Sequence, residues 1–165
     1  MEKLNLDVGC GKAPLKGATI HIDCKRESFH IEIVCDAEHL PFRGGIFYCT
    51  HCSHVIEHCL APLEVLKELK RVSSKWVVIK VPNASHYREG IGETNEHLYS
   101  WNQKTLGVFL RKVFNSVEIR SGLRFAGSLE EIRKKASVKS ALSTLYVLLS
   151  SFLFGTNELV GICEV

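Results

Sequence analysis

"LNLDVGCG", residues 4–11, is a short apolar run that ends in two closely spaced glycines. Leu4 to Val8 has the length and composition of a buried strand. Gly9 and Gly11 at its end let the backbone turn sharply and approach a ligand closely. A dinucleotide fingerprint would continue to a third glycine, at the position held here by Pro14. Proline has no N–H to offer a pyrophosphate, so a nicotinamide or flavin dinucleotide is disfavoured. A phosphate loop of the G-x-x-x-x-G-K type is also absent. The loop suits a nucleoside ligand without phosphates.

Working outward, the next two apolar runs also end in acids. The second strand ends in His21-Ile22-Asp23, and a carboxylate at the tip of a neighbouring strand is where two ribose hydroxyls are held. The third ends in Cys35-Asp36-Ala37, followed by Leu40-Pro41-Phe42. An acid beside a free backbone N–H reads an adenine edge, and the apolar residues pack on its face. Gly9, Gly11 and the acids would separately make only turns and caps. In order, each at a strand end, they describe one ligand at the crevice of an open α/β sheet.

The rest of the chain supports such a sheet. Ala18 to Cys24, Ile31 to Cys35, Ile46 to Cys52 and Trp76 to Val81 are near-continuous apolar runs, as in parallel strands covered on both faces. Ala61 to Val72 predicts a helix, with Leu63, Val65, Leu66, Leu69 and Val72 at helical spacing and Pro62 in its first turn. Asn102 to Val113 predicts a second, capped by Ser100 or Asn102. Val117 to Arg120 and Leu159 to Glu164 are two further strands, with a helical insertion at about 128–155 between them. The chain reads as a single domain over residues 1–165.

Composition narrows the function. The chain has 165 residues, 45% hydrophobic and 24% charged, with a net charge of +3, and gives no strong nucleic-acid signal. Seven cysteines, and an amino terminus without a secretory signal, point to a reducing, cytoplasmic setting with the thiols as small buried hydrophobes.

These motifs together resemble the class I S-adenosylmethionine-dependent methyltransferases, particularly the small type 11 branch. "LDVGCG" is similar to the family's first motif, "HIDC" to its ribose-binding acid and "CDAEHLPF" to its adenine-binding turn. "FYCTHCSHVIEHC", residues 47–59, resembles a fourth strand running into a helix start, and "VVIKVPN" a fifth strand and its exit. The resemblance covers about residues 4–120. It implies a Rossmann-like open, mostly parallel seven-stranded sheet with an antiparallel last strand and helices on both faces. It also implies S-adenosylmethionine as cofactor, held by Asp7, Gly9, Cys10, Gly11, Asp23, Asp36, Ala37 and Cys52.

The fourth motif raises a rival reading. His54-x-x-Glu57-His58 matches an inverted zinc-protease signature, and Cys49-x-x-Cys52 has zinc-ligand spacing. Residues three apart on a strand point to opposite faces, and four ligands rarely converge within ten residues. No metal is expected there. Departures from the family also matter. Its third glycine is Ala13 here, only six residues separate Gly11 from Ala18, and the amino-terminal helices that cover the cofactor in relatives are not expected from these residues. A pocket more open than in relatives is expected.

Methyl transfer draws its reactivity from the cofactor, so the protein supplies orientation and, where needed, a general base. The candidate bases are His54 and His97, with Tyr99 near the latter; His58 reads as structural. His86 and Tyr87 would face the acceptor, which no residue identifies. The alternative is a non-catalytic cofactor-binding module acting through a partner or at a membrane surface. The apolar segment 137–154, flanked by Arg133, Lys134, Lys135 and Lys139, reads as a core helix, a homodimer contact or a peripheral membrane contact.

Overall fold

A computed structural model describes residues 3–84, 97–121 and 158–165. The expected insertion at 128–155, with its apolar stretch 137–154, and the pair His86 and Tyr87 lie outside the described residues. The elements run β1 (Asn5–Val8), β2 (Ile20–Asp23), β3 (Ile33–Val34), β4 (Phe47–Ser53), α1 (Pro62–Val72), β5 (Ser73–Pro82), α2 (Gln103–Leu110), β6 (Ser116–Ser121) and β7 (Glu158–Glu164).

The strands form one seven-stranded sheet in the order β3-β2-β1-β4-β5-β7-β6. β7 runs antiparallel to both β5 and β6, while the pairs from β3 through β5 are parallel. The order reverses between β1 and β4, which opens a crevice at the carboxyl ends of those strands. β3 is two residues long, shorter than its apolar run suggested. No helix lies between β1 and β2 or between β2 and β3; turns make both connections.

Strand alternation sorts the core into two clusters. Leu6, Val8, Ile22, Cys52, Val77, Ile79, Leu159 and Cys163 face one side, with the buried residues of both helices. Cys49, Val78, Val160 and Ile162 form a smaller cluster on the other side. Both described helices therefore lie on one face of the sheet. α1 buries Val65, Leu66, Leu69 and Val72 completely, each contributing about 1.5–3 kcal/mol. Pro62 occupies its first turn, where a missing N–H costs nothing.

α2 starts at a reciprocal cap, in which Asn102 Oδ1 accepts from the Thr105 N–H and Thr105 Oγ1 accepts from the Asn102 N–H. The helix ends at Leu110, and residues 111–113 continue as a turn. It rests on β7 at Gly161, where an added Cβ would meet Leu110 Cδ1 at 2.4 Å. Gly161→Ala is expected to cost about 1–3 kcal/mol by overpacking, read as a lower urea midpoint at unchanged slope. Shortening the opposing side chain, Leu110→Ala, should make the alanine at position 161 tolerable; equal penalties in both backgrounds would contradict the packing. No helix among the described residues is long and apolar enough to cross a membrane.

Candidate functional site

β1 ends in Gly9 and Gly11, with φ of 70° and 52°, values that favour glycine. The Gly9 and Cys10 N–H groups both donate to the Ile22 carbonyl, at 2.9 and 3.1 Å, and so fold the loop over β2. The Gly11 N–H donates to Asp23 Oδ2 at 2.9 Å, joining the loop to the acid at the end of β2. A Cβ on Gly9 would meet Val55 Cγ2 at 2.1 Å, whereas one on Gly11 would meet nothing within 4 Å. The first glycine permits a close approach of two chain segments, and the second borders open space.

That space is a cavity of about 800 Å³ at the ends of β1, β2 and β4. Gly9, Gly11, Asp23, Asp36 and Ala37 all line it, so five expected cofactor residues converge. Its described lining holds three carboxylates, Asp23, Asp36 and Glu38, and neither lysine nor arginine. Asp36 Oδ1 accepts from the Glu38 N–H at 2.9 Å, and Glu38 Oε1 from the Ala61 N–H at 3.0 Å. Each carboxylate keeps acceptor capacity for a ligand. Cys24, Cys35 and Cys59 also border the cavity. Burial pushes their thiols up, Cys59 to about 11, so they remain protonated and unreactive at neutral pH.

Three expected cofactor residues lie elsewhere. Asp7 alternates with Leu6 and Val8 and so faces away from the helices. Its Oδ2 accepts from the Leu15 N–H at 2.8 Å, and Oδ1 lies 3.1 Å from His51 Nδ1. It anchors the 12–15 loop and borders a second cavity of about 340 Å³ with Cys10, Lys16, His51 and Lys80. Cys10 faces that second cavity, and burial raises its thiol to about 11. Cys52, paired in register with Val8, belongs to the helix-covered core at 1% exposure and touches neither cavity. Its burial raises the thiol well above the usual range. Cys49 sits in the opposite cluster, so this cysteine pair cannot meet at one ion.

The segment after β4 is a turn that leads to the helix at Pro62, so His54, Glu57 and His58 do not stand on a helix. His54 has φ 55°, a left-handed conformation that a residue with a Cβ adopts only when its surroundings enforce it. Its Nε2 lies 3.0 Å from Glu158 Oε1 and its Nδ1 3.3 Å from Glu57 Oε1. Lys80 Nζ holds the other Glu158 oxygen at 2.8 Å. The Glu158 and Glu57 carboxylates push the His54 imidazolium up to about 9, against the opposing effect of burial. Burial alone would raise the Glu158 carboxyl, but hydrogen bonds from His54 and Lys80 bring it below the usual range. Both His54 ring nitrogens are thus engaged by carboxylates, and the shift favours the protonated imidazolium.

His97 reaches the same corner by another route. The N–H groups of Leu98 and Tyr99 donate to the Glu57 carbonyl at 2.8 and 3.2 Å. They set the His97 ring against that of His58, with centroids 4.7 Å apart. Both candidate histidines thus flank Glu57. Glu158 and Lys80 were not foreseen. Glu158 stands 104 positions from His54 and meets it only because β7 pairs antiparallel with β5, Pro82 opposite Glu158. Glu38 was within reach of sequence reasoning, as an acid two residues beyond Asp36.

The profile of a family described as a methyltransferase domain matches residues 6–76. No curated protein matches the chain. Among solved structures, an S-adenosylmethionine-dependent methyltransferase from Archaeoglobus fulgidus is similar over 99% of this chain and 86% of its own, at 19% identity and a TM-score of 0.65. A possible histamine N-methyltransferase from Thermotoga maritima is similar over 99% and 83%, at 12% identity and a TM-score of 0.69. Phosphoethanolamine N-methyltransferase 2 from Haemonchus contortus, in complex with S-adenosyl-L-methionine, is similar over 100% of this chain and 49% of its own, at 15% identity and a TM-score of 0.64. At these identities the likeness establishes the fold, and the matched segment holds the glycine loop and the acids at the ends of β2 and β3. Residues 6–76 match the methyltransferase-domain family, and the sheet built on them has the fold of S-adenosylmethionine-dependent methyltransferases.

Proposed function

We propose that this chain transfers the methyl group of S-adenosylmethionine to an acceptor held beyond the carboxyl ends of β4 and β5. The observation that carries this reading is the larger cavity's lining, three carboxylates against the one raised imidazole of His54, with no lysine or arginine among the described residues. Such a lining suits a cationic ligand bearing hydroxyls and repels phosphates. Asp23 would hold the ribose hydroxyls, Asp36 and Ala37 the adenine edge, and the loop at Gly9 and Gly11 the methionine end.

When bound, the cofactor supplies an electrophilic methyl group on a sulfonium. The chain's own contribution is placement. Gly9 and Val55 fix the loop, and the His54 to Glu158 to Lys80 ion-pair chain braces the ends of β4 and β5 beside it. With His54 protonated, the acceptor is one that attacks without losing a proton to that residue.

The seven free cysteines support a reducing, cytoplasmic setting. The apolar 137–154 segment remains the proposed contact for a second copy or a membrane surface, on its composition alone. Calorimetric titration with S-adenosylhomocysteine is expected to show about one ligand per chain. Methyl-labelled cofactor, incubated with pools of small metabolites, lipids, glycans and peptides, should then label one pool. Tight binding without label in any pool would favour a non-catalytic module, and absence of binding would overturn the assignment.

A further inference from the structure

Glu57 has no exposed surface, and neither of its carboxylate oxygens has a hydrogen-bond partner. A carboxylate buried without a hydrogen bond carries a desolvation cost that a bound cation would offset. His54 Nδ1 approaches Oε1 at 3.3 Å, an ion-pair contact, and leaves Oε2 unaccounted for. His58 and His97 each bring a ring nitrogen within 4.8 Å of a Glu57 oxygen and of one another. Their rings lie edge to face at 66°. Both side chains are exposed, so nothing in the core dictates that they gather around a buried acid. The backbone enforces the gathering, because the Leu98 and Tyr99 N–H groups are both fastened to the Glu57 carbonyl.

We propose that Glu57, His58 and His97 bind one divalent first-row transition ion. Two imidazoles and a carboxylate form a borderline donor set, suited to zinc, manganese, cobalt or ferrous iron and poorly suited to calcium or magnesium. His54 then acts from behind, donating to Glu57 Oε1 while Oε2 faces the ion, the arrangement by which outer groups orient a metal-binding carboxylate. Donor atoms on one ion at about 2.0–2.3 Å lie roughly 3–3.5 Å apart. Closing from 4.8 Å requires the two exposed rings to turn inward, His58 exchanging its present contact for the ion. The site departs from the expectation that this region carries no metal. That expectation concerned the Cys49, Cys52, His54 and His58 cluster, and the present site depends on His97, which no local spacing connects to Glu57.

Three protein ligands leave coordination positions open, and His58 also lines the larger cavity. An ion held by His58 would thus lie beside that cavity. An acceptor oxygen placed there would be oriented by the ion and would release its proton to solvent more readily. Only this last step rests on the methyl-transfer reading.

The test uses the full chain without a histidine tag, stripped by chelator and titrated separately with zinc, manganese and cobalt. About one equivalent is expected, with His58→Ala and His97→Ala each weakening affinity by about a hundredfold or more, since even outer-shell losses cost ten- to a hundredfold. His39→Ala, at an exposed histidine outside the cluster, should bind as wild type. Glu57→Gln keeps the side chain's shape and removes its charge; it should stay folded by circular dichroism and lose the ion. The cobalt form should display visible bands of nitrogen and oxygen ligation. A strong thiolate charge-transfer band would instead assign the ion to cysteines and overturn the proposal. So would absence of stoichiometric binding, or equal affinity in the wild type and both histidine variants. Titration with S-adenosylhomocysteine runs in parallel. Ion binding without it would leave the metal site standing and count against methyl transfer alone.

Discussion

Gly9→Ala is expected to lower the stability of the chain by about 2–5 kcal/mol and to abolish S-adenosylhomocysteine binding. Two separate costs combine. A side chain at φ 70° places its Cβ against the carbonyl oxygen, at roughly 1–2 kcal/mol for a residue that is not glycine. The same Cβ would lie 2.1 Å from Val55 Cγ2, far inside the roughly 3.5–4 Å of carbon contact. Val55 cannot step aside freely, because it sits between the strained His54 and the fully buried Ile56. Displacing it costs about 1–3 kcal/mol. Against a total stability of about 5–15 kcal/mol, the sum is a large fraction. The loss of binding follows because either adjustment moves a wall of the larger cavity, which Gly9 and Val55 both line.

Val55→Ala in the Gly9→Ala chain should relieve the clash and leave the backbone cost alone. Gly11→Ala is the internal comparison. It carries the strained φ of 52° but has open space around its Cβ. It should therefore cost about 1–2 kcal/mol and leave the chain folded. Urea midpoints decide the matter: equal losses for the two alanines would mean that Val55 is not what confines Gly9.

How much of this site was legible depends on whether its parts are local. Gly9, Gly11, Asp23, Asp36 and Ala37 each sit in the first turn after a strand. A reader of the chain needs only the strand ends to place them, and all five line the cavity. Asp7, Cys10 and Cys52 have the same motif neighbours but do not line the larger cavity. With Leu6 and Val8 turned toward the helices, the residue between them must turn away, and Asp7 spends both oxygens on the far side. Cys52 falls on the opposite parity and is core. That alternation was present in the sequence, and the family pattern obscured it.

What stayed hidden is non-local. Glu158 meets His54 through strand order, since β7 inserts between β5 and β6 and carries its first residue to the end of β5. His97 meets Glu57 through two backbone hydrogen bonds that leave no side-chain signature. His54, Glu57 and His58 have helical spacing, yet the chain makes a turn there because His54 adopts positive φ and Pro62 begins the helix later. Charge at His54 was equally invisible, because it depends on carboxylates that only the sheet assembles.

The second large effect is expected at Asp23. Asp23→Ala should raise the dissociation constant for S-adenosylhomocysteine about a hundredfold, equivalent to roughly 3 kcal/mol. Hydrogen bonds to a charged acceptor are worth about 1.5–3 kcal/mol each, and a ribose presents two hydroxyls. Asp23 is partly exposed at the cavity wall, and its two oxygens already accept from the Gly11 N–H at 2.9 Å and the Lys25 N–H at 3.3 Å. Those backbone contacts aim the carboxylate before any ligand arrives, so little ordering cost is left at binding. They also mean that the variant loosens the glycine loop, and a weaker Kd alone would not separate that from lost ribose contacts. A 2′-deoxy analogue of the ligand makes the separation through a double-mutant cycle. If the carboxylate holds the ribose, the analogue binds the wild type more weakly but binds Asp23→Ala nearly as well as the parent ligand does. If it acts only by bracing Gly11, the penalties of variant and analogue simply add. Additive penalties, or an unchanged Kd in the variant, would remove Asp23 from the ribose site and return it to the loop.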